Sequence, residues 1–340
     1  MSRVVSIVVG SLAVVLALLL GVAIFMLHTY EDPPVDPAWA IEGTADIPQG
    51  AVTVRYSGTS TLVFSDGETT WMTDGWFSRP GPLTVLFGAI EPDPKAIARG
   101  LAQNEVQSLA GVFPVHSHYD HAMDAPEVAK RTGALLLGSE STANIGRGWG
   151  LPEEQIRVVV DREPIQLGAF AITPIESKHF QFPDPELAAR ALGDPEIREP
   201  LVPPVDTFSY KVGKAYVLHV SHPRGTWLIQ GSAGFVEGAL EDYDVDVVFL
   251  GVGALGSQTV AYREDFWRET VDRVSPTRVI PIHWDSLTGP NQGPFTGPVR
   301  GASLLAGGTD ETRDFLLEKQ AANPAIEFLT LPRYVPVVLF

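Results

Sequence analysis

The feature that most limits the fold is an apolar N-terminal segment, which runs from Val4 to Leu27 without a charged residue. As a helix it would be about 36 Å long at 1.5 Å per residue, enough to span a hydrocarbon layer of roughly 30 Å with some tilt. A buried helix of a soluble domain would usually keep a polar face, which this segment lacks. We therefore predict a transmembrane helix, a signal anchor, at residues 4–27.

The charges around this segment predict its orientation. Arg3 precedes it, whereas Glu31, Asp32 and Asp36 follow it. The positive-inside rule then places the N-terminus in the cytoplasm and the following domain on the non-cytoplasmic side. The alternative is a cleaved signal peptide and a secreted protein, because Ala38-Trp-Ala40 has the small-x-small form of a cleavage site. The apolar region of a signal peptide is usually shorter, at about 7–15 residues.

The rest of the chain divides into a spacer and one large domain. Residues 28–50 contain four prolines and are predicted to be a stiff, extended linker that holds the domain away from the membrane. Residues 51–335 are predicted to form one large domain, which carries the motifs described below. A net charge of −17 argues against nucleic acid as a partner and against binding to anionic headgroups. The chain has no cysteine, so disulfides and Cys-ligated zinc are excluded.

Short apolar strands alternate with helices along this domain. Strands are predicted at residues 51–56, 61–64, 70–74, 112–115, 134–137, 170–175, 208–212, 216–220, 226–229, 245–251, 278–282 and 326–331. Helices are predicted at residues 94–102, 126–132, 185–192, 264–274 and 309–321. Two halves, each a sheet followed by helices, predict an α/β fold of four layers, αββα. The Pro- and acid-rich insertion at 183–204 is expected to cover a substrate.

The strongest chemical signal is the run His116-Ser-His118-Tyr-Asp120-His121, which directly follows an apolar strand. A loop that leaves a strand end can direct several side chains toward one point. Neutral imidazole and carboxylate are ligands of zinc and similar metals. A solvated polar loop is the ordinary alternative, but this spacing of four potential ligands is rare by chance.

The same run resembles the signature of the metallo-β-lactamase superfamily. Tyr56-Ser-Gly-Thr-Ser-Thr-Leu62 and Thr73-Asp-Gly-Trp-Phe-Ser78 look like the first hairpin of that family. Together with Leu250-Gly-Val-Gly253 and Ile282-His-Trp284, they are most similar to the branch of N-acylphosphatidylethanolamine phospholipase D and the ascorbate-lactonase-like proteins. The resemblance implies a metallo-β-lactamase sandwich preceded by one transmembrane helix.

The resemblance also implies the metal ligands. His116, His118 and His179 would hold a first metal, and Asp120, His121 and His283 a second. Asp74 would support the metal-binding loops. The family's bridging aspartate is replaced by Ser232, which is a poor ligand, so one and two zinc ions per chain remain equally open. The loss of that aspartate also disfavours a mononuclear iron dioxygenase.

Three further histidines and one tryptophan are not assigned as metal ligands. His28 lies at the membrane boundary and is expected to be incidental. His219 and His222 are expected to be structural, although either could face the substrate. Trp284 follows His283 and is expected to line the pocket.

The function that follows is hydrolysis. Bound zinc lowers the pKa of its water toward about 7, and the hydroxide would attack a carbonyl or phosphoryl centre, with Asp120 as the catalytic residue that orients it. The expected partner is a small-molecule or lipid-like ester, lactone or phosphodiester, and a β-lactam also stays open. The oligomeric state is left open. The alternative is a binding or scaffold protein with a degenerate site, and a purely structural zinc site fits less well because such sites are usually Cys-rich.

Overall fold

The N-terminal segment forms one continuous helix. A computed structural model of the chain describes residues 3–302 and 308–340, and in it α1 spans Arg3–His28. Its window Ile7–His28 is long and apolar enough to cross a membrane, and the most apolar part of that window is not buried inside the described chain. The predicted helix at 4–27 is thus confirmed as a helix, while its insertion in a membrane stays a prediction.

The domain after α1 is built from short strands and helices. The strands are β1 (Thr53–Gly58), β2 (Thr61–Ser65), β3 (Thr70–Thr73), β4 (Ala89–Ile90), β5 (Gly111–Phe113), β6 (Leu135–Gly138), β7 (Ile156–Val158), β8 (Ile165–Leu167), β9 (Phe170–Ser177), β10 (Val205–Asp206), β11 (Ala215–His222), β12 (Gly225–Gln230), β13 (Val247–Gly251), β14 (Arg278–Ile282), β15 (Glu327–Phe328) and β16 (Val337–Val338). The helices are α2 (Pro82–Phe87), α3 (Pro94–Gln103), α4 (Tyr119–Ala122), α5 (Ala125–Thr132), α6 (Glu140–Gly148), α7 (Pro185–Leu192), α8 (Val260–Thr270) and α9 (Thr309–Ala322).

Within the described ranges, fourteen of the strands form two seven-stranded sheets, in the orders β16-β1-β2-β3-β5-β6-β7 and β15-β14-β13-β12-β11-β9-β8, and β4 pairs with β10 in a separate two-stranded sheet. Each sheet combines an antiparallel meander (β1-β2-β3 and β9-β11-β12) with a parallel part (β3-β5-β6-β7 and β12-β13-β14-β15). Parallel neighbours need a crossover connection, and helices such as α3, α5, α8 and α9 supply it. The carboxyl ends of the parallel strands therefore meet at one end of the domain.

The two sheets pack face to face through aromatic side chains. The ring of Phe64 lies 4.9 Å from that of Trp71 in its own sheet, and 5.2 Å and 5.5 Å from those of Trp227 and Phe249 in the other sheet. These four rings are buried. On the outer faces, α3 and α5 contribute Ile97, Leu101 and Val128 to one cluster, and α8 and α9 bring Trp267 and Phe315 to the other sheet. The architecture is therefore an α/β sandwich with helices outside two sheets.

Two predicted strands differ from the structure. The segment predicted at 208–212 begins instead in a 3₁₀ turn, Thr207–Ser209, because the side chain of Asp206 accepts a hydrogen bond from the backbone N–H of Phe208 (2.9 Å) and closes the chain into a turn. The antiparallel meander of the second sheet therefore consists of β9, β11 and β12, without the predicted strand 208–212. The strand predicted at 326–331 is shorter in the structure, where β15 covers only Glu327–Phe328.

The segment 28–50 is not the free spacer that its prolines predict. Trp39 is buried, and its ring lies 5.0 Å from that of Phe328. The backbone N–H of Glu31 donates to the carbonyl of Pro298 (2.9 Å). Prolines make a chain stiff, but a stiff segment can still lie along the domain. Burial of the apolar surface of Trp39 stabilises that arrangement.

The other predicted boundary of the domain, residue 335, lies inside the fold. β16 pairs with β1, and the backbone N–H of Val52 donates to the carbonyl of Phe340 (3.0 Å). The first sheet therefore continues beyond residue 335, because an edge strand with free hydrogen-bonding groups gains by pairing.

Candidate metal centre

The histidine-rich run lies where β5 ends, at the end of the domain where the parallel strands terminate. His116 and His118 lie on the loop after β5, and the single turn of α4 brings Asp120 and His121 back toward them. The hydroxyl of Ser117 lies 2.9 Å from that of Thr142, which anchors the loop to α6. The ring centroids of His116 and His121 are 3.9 Å apart. The local sequence thus places four potential ligands side by side.

The first cluster consists of His116, His118 and His179, whose candidate ligand atoms lie within 4.8 Å of one another. Nε2 of His116 is 3.1 Å from Nδ1 of His118. His179 follows β9 and reaches the cluster from the second sheet. With Nδ1 of His179 donating to the carbonyl of Phe180 (2.9 Å), its Nε2 keeps a lone pair for a ligand. Three imidazoles from two sheets therefore converge.

The second cluster consists of Asp120, His121 and His283. Nε2 of His121 lies 3.1 Å from Nε2 of His283, and Oδ2 of Asp120 lies 3.4 Å and 3.3 Å from those two nitrogens. Ligands of a tetrahedral ion with bonds of about 2.0–2.1 Å are themselves separated by about 3.3 Å. The spacing of this cluster therefore fits a small divalent cation.

The environment sets the charges of these groups. Burial lowers the pKa values of His116 and His179 well below the usual range and that of His118 to about 4, so all three are neutral ligands at neutral pH. Burial also opposes the charged form of Asp120, but His121 and His283 outweigh it and lower the pKa of that carboxyl. For His121, burial is outweighed by Asp74 and Asp120, which raise its pKa. The second cluster therefore favours a positive charge.

The facing nitrogens of the first cluster support the fit to a metal. Nε2 of His116 and Nδ1 of His118 lie 3.1 Å apart, and a cation held by both would satisfy their lone pairs. Nδ1 of His116, on the other side of the ring, is buried without a hydrogen-bond partner among the residues that the structure describes. The donor set of five imidazoles and one carboxylate suits zinc and neighbouring transition metals.

Asp74 supports the second cluster through hydrogen bonds, the role that the resemblance to the family implies. Its Oδ2 accepts from Nδ1 of His121 (2.7 Å), and its Oδ1 accepts from the backbone N–H of Val115 (2.9 Å). The first bond fixes the tautomer of His121 that exposes the Nε2 lone pair to the cluster. Asp74 is completely buried, and its φ of 55° is one that L-residues seldom adopt.

We expect Asp74→Asn to weaken metal binding by about 10–100-fold, the typical effect of losing such a hydrogen-bond partner. An amide can accept from Nδ1 of His121 or from Val115, but its NH₂ group would face the other donor. Competition with a chromogenic chelator measures the affinity. The matched control is Asp66→Asn, because Asp66 lies 3.4 Å from His222 in a similar pair outside both clusters. Equal affinities of the Asp74 variant and the native chain would contradict this role.

A second supporting group lies beneath His283, and the sequence did not reveal it. Oδ1 of Asp285 accepts from the backbone N–H of Thr59 (2.6 Å) and from the hydroxyl of Tyr56 (3.3 Å), and its Oδ2 pairs with Arg79 at 3.0 Å. The backbone N–H of His283 in turn donates to the carbonyl of Thr59 (2.7 Å). Burial and Asp285 raise the pKa of Tyr56 well above its usual range.

This network fixes an unusual backbone conformation. His283 has a φ of 58°, in the left-handed region that L-residues rarely adopt. A Cβ on Gly253 would lie 2.6 Å from Nδ1 of His283, so only glycine leaves room for the ring. Strain of this kind persists only where the surroundings impose it.

Asp124 is another residue that sequence reasoning missed. Its carboxylate is buried and accepts from the backbone N–H groups of Phe77 and Ser78 (2.7 Å each) and from the Ser78 hydroxyl (2.6 Å). Burial raises the pKa of Asp124 to about 6 despite these bonds. It ties the segment after β3 to the metal-binding loop. The sequence signal that could have revealed Asp124 is its position between the histidine-rich run and Pro126 at the start of α5.

Two aromatic side chains and one helix border the first cluster. The rings of Phe180 and Phe182 lie 4.3 Å and 5.6 Å from that of His179. Nε2 of His118 lies 3.4 Å from the carbonyl of Ala191 in α7. The insertion at 183–204 therefore reaches the site, and its predicted helix 185–192 is confirmed.

The remaining sequence candidates lie outside both clusters. Ser232 Oγ accepts from the backbone N–H of Phe180 (3.3 Å), near His179 but not among the grouped ligands. His219 packs on the ring of Tyr243, 4.8 Å away, and burial lowers its pKa. His28 lies at the end of α1. Trp284 is buried, and its Nε1 donates to the carbonyl of Pro281, so it packs as part of the core, and its predicted contact with the pocket stays a prediction.

Comparisons with known proteins agree with this geometry. No protein-family model matches the chain. The "UPF0173 metal-dependent hydrolase" of Pyrobaculum neutrophilum is 25% identical over 203 residues, which cover 56% of this chain and 74% of that protein. The protein of the same name from Pyrobaculum islandicum is 23% identical over 241 residues, 69% of this chain and 84% of the relative.

Among solved structures, Igni18, a metallo hydrolase from Ignicoccus hospitalis, aligns with 84% of this chain and 96% of its own length, at 14% identity and a TM-score of 0.49. The two His/Asp clusters at the strand ends and the names of the sequence relatives together support one identification, a metal-dependent hydrolase.

Proposed function

We propose that this protein is a membrane-anchored zinc hydrolase that cleaves an ester, lactone or phosphodiester bond in a small or lipid-like substrate. The observation that carries the proposal is the pair of ligand clusters, each with three candidate donors within 4.8 Å, at the shared end of both sheets. Binding of structural zinc would not need two such groups, and structural sites are usually closed and Cys-rich.

The residues of the two clusters and their hydrogen-bond partners have separate roles. His116, His118 and His179 would hold one ion, and Asp120, His121 and His283 a second. Zinc in such a site lowers the pKa of a bound water to about 7 and so supplies a nucleophile at neutral pH. Asp120 stays ionised and can accept a proton from, or orient, the attacking group. Asp74 and Asp285 keep His121 and His283 in place.

Ser232 bears on the number of ions. Its hydroxyl is neutral and already accepts from the backbone N–H of Phe180, so it adds no negative charge between the clusters. The second cluster then has three protein donors, which is sufficient for a catalytic zinc with an open position. We propose that this second site binds its ion more weakly than the first.

The anchor is proposed from α1. Its apolar side chains from Ile7 to Phe25 are exposed, which in water would be costly. Arg3 before it and the acidic residues after it favour a cytoplasmic N-terminus and a domain on the other side. Signal cleavage and secretion are the alternative, and N-terminal sequencing of the membrane fraction separates the two.

Removal and return of metal test the hydrolase proposal. The full chain in mild detergent, stripped with a chelator, is expected to lose hydrolysis of p-nitrophenyl butyrate or bis(p-nitrophenyl) phosphate and to regain it with zinc. Elemental analysis for zinc, iron and manganese on the untreated protein gives the identity of the metal and the number of ions per chain. Absence of bound metal after zinc reconstitution would overturn the proposal and favour a degenerate binding protein. Tight binding of iron instead of zinc would overturn the choice of metal only.

A further inference from the structure

The segment that carries α2 presents apolar side chains to solvent beside the metal centre. From Pro80 to Ile90 it has no charged residue. Phe87 is 83% exposed, Leu83 53% and Leu86 43%, and α2 buries none of its side chains. Val202, on the neighbouring insertion, is 65% exposed. Apolar side chains that group in this way usually mark a contact surface.

We propose that this surface, Leu83, Leu86 and Phe87 of α2 with Val202, inserts into the lipid bilayer that holds α1. The inference rests on the proposed membrane anchor, and it extends that proposal to the face of the domain that meets the membrane and to the source of the substrate.

The position of α1 relative to the domain supports this choice. Its C-terminal end is bound to the loop that follows His283, because the backbone N–H of Arg300 donates to the carbonyl of Thr29 (2.9 Å) and Tyr30 pairs with Val299. The carbonyl of Asp32 lies so close to Gly297 that a Cβ there would come within 2.5 Å. The domain is therefore held directly at the end of the apolar helix.

The same loop also holds the segment that leads into α2. The side-chain amide of Asn291 donates to the carbonyl of Phe77 (2.9 Å), and Asp285 pairs with Arg79. One continuous loop thus connects the end of α1 to the start of the apolar surface. Both apolar elements are therefore tied to residues of the same loop.

The surface also adjoins the metal centre. The hydroxyl of Thr207 donates to the carbonyl of Val85 (2.8 Å), and the guanidinium of Arg190 in α7 lies 4.0 Å from the ring of Phe208. α7 in turn contacts His118. Contacts thus lead from α2 through residues 207–208 and α7 to the first cluster, so a lipid that left the bilayer at α2 would emerge near that cluster.

Charge determines which bilayer the surface suits. The chain has a net charge of −17, which opposes binding to anionic headgroups, so the attraction must come from apolar burial. Neutral phosphatidylcholine is the matching surface. A short apolar segment of this kind is expected to reach the boundary between headgroups and acyl chains.

Depth-dependent fluorescence quenching tests the inference directly. Because the chain has no cysteine, single cysteines can be introduced and labelled with an environment-sensitive dye. Full-length Phe87→Cys and Leu83→Cys, reconstituted in phosphatidylcholine vesicles, are expected to be quenched by nitroxides on the lipid acyl chains. Leu18→Cys in α1 is the positive control. Ile47→Cys is the matched exposed control, because Ile47 lines a cleft with Asp66 and His222 at the opposite end of the domain.

The outcomes separate the proposals. Quenching at positions 18, 83 and 87 but not at 47 supports the inference. Quenching at 18 alone overturns it and leaves the anchor intact. A label at 87 that is shielded from water but not quenched by lipid indicates a second copy of the chain on α2 and also overturns it. No quenching at 18 refutes the anchor and this inference together.

Activity adds a second readout. Leu83→Ser/Phe87→Ser is expected to reduce hydrolysis of p-nitrophenyl palmitate held in vesicles by about tenfold, with hydrolysis of soluble p-nitrophenyl butyrate unchanged. An equal loss on both substrates would contradict a role in lipid contact. If the protein hydrolyses neither ester, the quenching results still decide the inference.

Discussion

Replacing both His116 and His118 by alanine is expected to abolish tight metal binding at the first cluster and to lower hydrolysis by more than about 100-fold. Two of the three imidazoles of that cluster would be lost, and His179 alone cannot hold an ion. Even the loss of an outer hydrogen-bond partner of a metal ligand typically costs 10–100-fold, so removal of two ligands should cost more. Elemental analysis and initial rates on the full chain in detergent measure both effects.

The control for this change is His219→Ala. His219 is also a partly buried histidine, but it packs against Tyr243, far from both clusters. Its variant should keep native metal content and activity. Zinc retained at native stoichiometry in the His116/His118 double variant would refute the first cluster as the metal site. Loss in both variants would indicate a general effect of histidine removal on folding.

The second large effect is expected at Asp285. Its carboxylate and the guanidinium of Arg79 form an ion pair in which both side chains are almost completely buried. Asp285→Ala leaves the Arg79 charge and the backbone N–H of Thr59 without this partner, and breaking such a pair from one side typically costs about 3–5 kcal/mol. We therefore expect a fall of that size in the free energy of unfolding, measured by urea with tryptophan fluorescence.

Two matched variants sharpen this test. Glu327→Ala removes an exposed ion pair with Arg278 and is expected to cost at most about 1 kcal/mol. Asp285→Asn keeps an acceptor for the backbone N–H of Thr59, so it should lower the free energy of unfolding less than Asp285→Ala. It replaces the alanine variant in this measurement if that variant does not fold. Because Asp285 lies next to the strained backbone of His283, metal affinity of the second cluster should fall as well. Unchanged stability of Asp285→Ala would show that the pair contributes nothing.

Features that depend on short stretches of chain could be predicted from the sequence. The apolar helix, the helix at 185–192 and the strand that ends in the histidine-rich run are all confirmed, because each is set by a local pattern of apolar and polar residues. The four ligands from His116 to His121 lie within one loop, so their proximity needs no long-range contact. The resemblance to a known family added His179 and His283 as candidate ligands.

Only the tertiary structure decided which distant groups meet. His179 joins His116 and His118, and His283 joins Asp120 and His121, because the carboxyl-terminal ends of the strands from both sheets meet at one end of the sandwich. Periodicity along the chain carries no information on such sheet order, so the pairing could not be derived locally. Whether these groups bind metal is what the proposed variants test.

The same reason explains what the sequence did not show. Arg79 and Asp285 are separated by most of the domain, and nothing local distinguishes them from ordinary surface charges. Trp284 turns into the core, and Trp39 draws the proline-rich segment onto the domain, because burial of a large apolar side chain depends on what lies opposite. Local pattern therefore determined the elements and the ligand loop, whereas packing between distant elements determined the two clusters, the buried pair beneath His283 and the apolar surface of α2 beside them.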